Sequence, residues 1–243
     1  MSLPRKIEKS NRPYRFLVFS FDDSVTQDIR FTKLLEKHGF RGTFHLNSGL
    51  FGIKNTIGPP EKRVPHDRLE ASLIREVYKN HESAGHTKTH PALDMLSKEE
   101  IIDEVEADIR AIEALTGEKV IGMAYPGDNR FNDFVAETIG ENTVCIYART
   151  ARFTHGVRMP DANTLLTLDP SVHIFDGDLL PLAEKMSKSG SEEDLCLIIA
   201  GHSYELDITE KWDEIDVLFG KLASLANITN ITMGELALYL KGE

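Results

Sequence analysis

Residues 16–23 read FLVFSFDD, five apolar side chains in six and then two adjacent carboxylates. The apolar run reads as a core strand. Burying even one unpaired carboxylate at its end is costly unless a cation, protonation or solvent relieves it. The rest of the chain has to say which of the three applies.

Working outward, short apolar runs alternate with helical patterns, the signature of βα units around a largely parallel sheet. RFLVFSF is the first strand. A helix is expected over 26–38, with Ile29, Phe31, Leu34 and Leu35 near one face and Gly39 as its stop. GTFHLN is the next strand, followed by a Gly/Pro-containing loop over 48–66. Ser97-Lys98-Glu99-Glu100 forms a capping box that opens a helix carrying Ile101, Val105, Ile109, Ile112 and Leu115, with Gly117 behind it. Its acidic outer face needs no function. VIGMAYP is a strand, FNDFVAETIG a short helix, and VCIYA and CLIIAGH are further strands. Helices over 209–225 and 232–240 close the chain, which makes six or seven βα-like units. Architectures of this kind place their chemistry in loops at the carboxyl ends of strands. Asp22 and Asp23 lie at such an end, and so does His202.

At 243 residues the chain suits one α/β domain, taken here as 1–243 with 1–13 a flexible N-terminal tail. Apolar residues are 41% and charged residues 28%, ordinary for a globular protein with a sizeable core. A net charge of −11 argues against nucleic acid or an anionic membrane as partner and favours a neutral or cationic substrate. No signal-peptide segment or membrane-length apolar run is present, so the expectation is a cytoplasmic protein; its oligomeric state is open. Cys145 and Cys196 sit in apolar runs and read as buried free thiols.

The second informative stretch is GHTKTHPAL, with His86 and His90 four residues apart. Such a pair on a helix would share a face, but Pro91 disfavours a helical His90, so an irregular loop is the better reading. Alone the pair is weak. Asp23, His86 and His90 together would make a His₂-carboxylate site with a position left open for water. That would answer the question set by FLVFSFDD: one carboxylate is met by a divalent cation, while Asp22 points elsewhere and stays free as a base.

Ser-Phe-Asp-Asp followed about sixty residues later by His-Thr-Lys-Thr-His-Pro-Ala-Leu resembles the first two motifs of the NodB-like polysaccharide deacetylases, carbohydrate esterase family 4. Gly42-Thr43-Phe44 is similar to that family's second strand, and GHSYELD to its last motif. The resemblance implies an α/β fold, a distorted (β/α) barrel of about seven units. It implies Asp22 as general base, Asp23, His86 and His90 as metal ligands, and His202 as general acid. Zinc is the default metal, with cobalt, nickel or iron also suited to the site.

Two motifs depart from the family's pattern. Its third motif brings an arginine that orients the base and a backbone N–H that stabilises the oxyanion; here the stretch is Ala124-Tyr125-Pro126-Gly127, without arginine. The Gly127 N–H can still serve, since a backbone donor does not depend on the side chain. The fourth motif is replaced by Tyr147-Ala148-Arg149-Thr150. An arginine lost at one strand end and gained at the next suggests that Arg149 orients Asp22, an idea that fails if the two lie more than about 6 Å apart. A surface arginine is the alternative. Asp176, Asp178 and Glu205 are open candidates for the partner of His202, His173 for the cleft wall, and Tyr125 and Tyr204 for sugar stacking or plain packing. The expected activity is removal of N-acetyl groups from an amino sugar or soluble oligosaccharide. Hydrolysis of a formamide, ureide or cyclic imide, or a catalytically silent metal- or glycan-binding relative, are the alternatives.

Overall fold

In chain order the elements are β1 (Arg15–Asp22), α1 (Asp28–Lys37), β2 (Thr43–Leu46), β3 (Thr56–Ile57), β4 (Val64–Pro65), α2 (Ala71–Tyr78), β5 (Glu82–Gly85), α3 (Lys98–Thr116), β6 (Gly122–Ala124), α4 (Asp133–Asn142), β7 (Tyr147–Arg149), β8 (Val172–His173), α5 (Leu179–Ser187), β9 (Leu195–Gly201), α6 (Glu205–Thr209), α7 (Trp212–Ala223), β10 (Thr229–Ile231) and α8 (Met233–Lys241). This computed structural model describes residues 3–242; Met1 and Ser2, where the expected tail begins, lie outside the described residues. Seven parallel strands run β7-β6-β5-β2-β1-β9-β8 and curl into a half-barrel flanked by helices, the expected distorted (β/α) barrel. β3 and β4 form a separate antiparallel hairpin in the excursion between β2 and α2.

β1 is the axis of the sheet and is buried over its whole length. Strand periodicity divides its side chains between two cores. Leu17, Phe19 and Phe21 join Phe31 and Leu35 of α1 and Phe219 of α7. Phe16 and Val18 join Ile198 of β9, Ile231 of β10 and Met233 and Leu236 of α8. Ser20 and Asp22 continue this second face, so the alternation that packs Phe16 and Val18 also turns Asp22 to the barrel side. On one edge β1 has two successive partners, β10 along Phe16–Val18 and β2 along Ser20–Asp22. Asn230 bridges the change of partner, donating to Leu17 O and Arg41 O and accepting from Arg41 N.

β5 has no apolar alternation. Its sequence is Glu-Ser-Ala-Gly, and a buried carboxylate stabilises it in place of greasy side chains. Glu82 accepts from Thr43 Oγ1 at 2.7 Å, Gly234 N at 2.9 Å and Tyr147 OH at 3.1 Å, while burial raises its pKa. The helix expected over 209–225 forms as α7, and a short helix that was not expected, α6, precedes it and ends where Glu210 adopts the left-handed conformation at φ 58°. Cys145 and Cys196 are buried and free. No helix among the described residues is long and apolar enough to cross a membrane.

Candidate active site

Asp22 closes β1 and Asp23 leaves it: φ at Asp23 is 88°, so the backbone turns and the two carboxylates diverge. Both remain 7% and 5% exposed, which excludes escape to solvent as the resolution of the doubled acid. Each is met by a different cation. Arg149, at the end of β7, donates from Nη2 to both carboxylate oxygens of Asp22. Burial alone would raise the Asp22 pKa; the Arg149 guanidinium, helped by His86, His45 and His202, holds it well below the carboxylate range.

Asp23 is held by groups that the motifs did not announce. His66 Nε2 lies 3.1 Å from its Oδ2, and Arg68 Nη1 lies 2.9 Å from its Oδ1. Against the burial that would raise it, the His66 hydrogen bond and then the charges of His202 and Arg68 keep the Asp23 pKa low. Oδ1 is a charge neighbour of Arg68 yet receives no hydrogen bond from any group. It faces His86 Nε2 and His90 Nε2, each 4.0 Å away, and the three atoms all lie within 4.8 Å of one another. Ligand bonds of about 2.0–2.2 Å to a common centre would bring such atoms to roughly this spacing with slight contraction.

One ring nitrogen of His86 is committed to the backbone. His86 Nδ1 donates to Ala124 O at 2.9 Å, which fixes the tautomer and leaves the Nε2 lone pair toward Asp23. Burial pushes the His86 pKa down to about 4, keeping the ring neutral. His90 has φ 59°, so the segment between the two histidines is an irregular loop and not a helix, as Pro91 requires. The His86 backbone N–H is 3.0 Å from Asp108 Oδ2, and the other oxygen of Asp108 accepts from Ser48 N. Asp108 thus lies inside, not on the acidic outer face of α3. Its signal was present: it falls three residues after Val105 and four before Ile112, on the apolar stripe.

His202 follows β9, with Nε2 3.9 Å from Asp22 Oδ2. Of its three candidate partners the structure gives it Glu205: Oε1 is 3.3 Å from His202 Nδ1, and Oε2 is 3.1 Å from His173 Nε2. Asp176 and Asp178 instead face His155, at 3.8 and 3.3 Å. Burial would lower the His202 pKa, but Glu205, Asp22 and Asp23 push it up to about 9. Tyr204 stands between His66 and His202, with ring centroids 4.8 and 4.9 Å away.

Tyr125 does not face this cluster as an open ligand group. It is buried, stacked on Phe131 at 3.8 Å, and its hydroxyl donates to Leu166 O. Gly127 does come close: at φ 57° it occupies a conformation that favours glycine, and a Cβ there would sit 4.0 Å from His90 Cε1. Its N–H has no acceptor among the described residues.

The family model described as polysaccharide deacetylase matches residues 9–160, a span that includes Asp22, Asp23, His86, His90 and Arg149 and stops short of His202. No curated protein matches the chain. Among solved structures, the Xyl-CE4 domain of a multidomain xylanase from the hindgut metagenome of Trinervitermes trinervoides is 15% identical, with a TM-score of 0.57 over 94% of this chain and 92% of that one. A Streptococcus pyogenes deacetylase in complex with acetate is 22% identical, TM-score 0.51, over 63% of this chain; the chain spans only 62% of its length. A CE4 family pseudoenzyme from Bacillus anthracis is 19% identical, TM-score 0.52, over 94% of this chain and 68% of that one. At these identities the likeness speaks for the fold. The family rests on the sequence match across the stretch that carries both carboxylates, both histidines and the arginine: the chain belongs to the polysaccharide deacetylases.

Proposed function

We propose that the protein is a metal-dependent hydrolase that removes N-acetyl groups from an amino sugar or soluble oligosaccharide. The observation that carries this reading is the buried Asp23 Oδ1, without a hydrogen bond and facing two imidazole nitrogens 4.0 Å away. A buried carboxylate oxygen left this way is expected where a cation belongs. Asp23, His86 and His90 would hold it, and two imidazoles with a carboxylate favour zinc, with cobalt, nickel or iron as further candidates. When bound, the metal supplies Lewis acidity, which acidifies water and polarises the acyl carbonyl.

The remaining roles fall to this chain's own groups. Asp22, ionised beside Arg149, takes a proton from the attacking water at its carboxylate. The Gly127 N–H donates to the oxygen on which negative charge develops. His202, protonated, gives its Nε2 proton to the departing nitrogen as the C–N bond breaks, leaving acetate and the free amine. Glu205 holds the opposite ring nitrogen of His202 and so fixes which atom carries the transferable proton.

The test is acetate and amine release by metal-reconstituted protein from N-acetyl sugars, chitooligosaccharides, formamides, ureides and cyclic imides. Acetate from the sugars is the expected result. Turnover of the non-sugar amides alone would move the activity to another C–N bond. No turnover despite bound metal would favour a silent relative, for which the Bacillus anthracis pseudoenzyme of similar fold is the precedent.

Glu205→Gln supplies a check on the acid. The substitution removes one of the carboxylates that raise the His202 pKa, with Asp22 and Asp23 remaining. Activity needs protonated His202, so the alkaline limb of the kcat–pH profile should move to lower pH, by about one unit for each tenfold loss of preference for the charged ring. An unmoved alkaline limb would take Glu205 out of the mechanism.

A further inference from the structure

The proposed ligands depend on unusual backbone. Asp23 at φ 88°, Thr87 at φ 65° and His90 at φ 59° all occupy the left-handed region that non-glycine residues rarely adopt. Such conformations persist only where the surroundings over-determine them. Two buried side chains outside the family-like motifs do this for the first two. Arg68 Nη1 donates to the backbone carbonyl of Asp23 and, at 3.1 Å, to Asn47 Oδ1. Asn47 Nδ2 then donates to His86 O at 2.6 Å and to Thr87 O at 2.9 Å.

One guanidinium and one amide therefore tie the end of β1 to the residues following β2 and β5. Asn47 is fully buried and its amide is fully used, with the oxygen accepting and both N–H groups donating. Arg68 reaches the site because the β3–β4 excursion is pinned to the loop before it: His66 N donates to Asn55 O and Arg68 N to Ile53 O. The clamp's hydrogen bonds go to the Asp23 carbonyl, Asn47 Oδ1 and the His86 and Thr87 carbonyls; Asp23 Oδ1 receives none, although Arg68 Nη1 is its ion-pair partner at 2.9 Å. The clamp fixes the backbone of Asp23 and of His86–Thr87, while His86 Nε2 and His90 Nε2 are left facing Asp23 Oδ1.

We propose that Asn47 and Arg68 are positioning residues that hold Asp23 and the His86–Thr87 backbone in the arrangement a divalent cation needs. This inference rests on the metal-dependent reading above. Neither residue touches the reacting atoms; each acts through the ligands.

Cobalt(II) is the probe, because its d–d absorption reports coordination geometry independently of turnover. Wild type, Asn47→Ala and Arg68→Lys are titrated with Co²⁺ against a competing chelator, with far-UV circular dichroism of each metal-free protein as the folding control. Asn47→Ala changes no charge, so a Co²⁺ affinity at least tenfold weaker with a shifted d–d spectrum is the expected result. Arg68→Lys keeps the charge and part of the donation and should fall between Asn47→Ala and wild type. Should Asn47→Ala fail to fold, Arg68→Lys decides alone: weaker affinity with an altered spectrum supports the clamp, and wild-type values overturn it. Both variants matching wild type in affinity and spectrum would remove the clamp and leave the metal reading intact. Wild type that takes up no Co²⁺ would instead sink the metal reading itself.

Discussion

Asp22→Asn should lower kcat by about 10²–10⁴-fold, the usual worth of a positioned general base, while the protein still binds its metal. The two halves of this expectation come from different atoms. Asparagine has nearly the shape of aspartate but cannot take up the water's proton at neutral pH. The oxygen grouped with the His86 and His90 ring nitrogens belongs to Asp23, not Asp22. Asp23→Asn is therefore the matched control, expected to lose metal and activity together. Metal stoichiometry measured beside kcat separates them: a dead Asp22→Asn protein with full metal content identifies the base. Retention of more than a tenth of wild-type kcat would mean that another group takes the proton.

The parts of this site legible in the sequence are those in which chemistry and chain order coincide. Asp22 and Asp23 stand out because two adjacent acids cannot be explained by an apolar strand. His86 and His90 stand out because four residues and a proline hold them together. Arg149 was legible as a substitution, an arginine absent before Pro126 and present at the next strand end, and the structure places its guanidinium on the Asp22 carboxylate. His66, Arg68 and Asn47 carry no such mark. His66 and Arg68 come from an excursion whose path is set by hairpin hydrogen bonds, and Asn47 gains its role only where two strand ends meet. In the fold the same reasoning separates β1 from β5. Alternating apolar side chains announce the first, whereas the second is a strand only because Thr43, Tyr147 and Gly234 surround Glu82 with donors.

Arg149→Met tests the most consequential of these contacts, because it removes the cation and leaves the buried acid. Breaking a buried ion pair from one side costs about 3–5 kcal/mol, since the remaining charge stays desolvated. For a chain of this size each kcal/mol corresponds to roughly 2–4 °C in Tm, so a fall of about 6–20 °C is expected by calorimetry. The protein can recover part of that cost by protonating Asp22, and the sign of the pH effect follows. In the wild type burial raises the Asp22 pKa, and Arg149 with His86, His45 and His202 more than reverses it, so Asp22 is ionised at neutral pH. Without Arg149 the burial that raises the pKa is opposed only by His86, His45 and His202, so the pKa rises from its wild-type position. A base must be ionised to act, so activity in Arg149→Met should fall away with decreasing pH at a higher pH than in wild type. Even on the alkaline plateau the loss of orientation should leave kcat lower, by up to about 10²-fold for a displacement near 1 Å. Asp22→Asn/Arg149→Met provides the thermodynamic closure. With both charges removed, its Tm should recover above that of Arg149→Met alone, as expected when an isolated buried charge is the source of the instability. An acid limb that stays in place in Arg149→Met, with no recovery in the double variant, would show that the ionisation of Asp22 does not depend on Arg149.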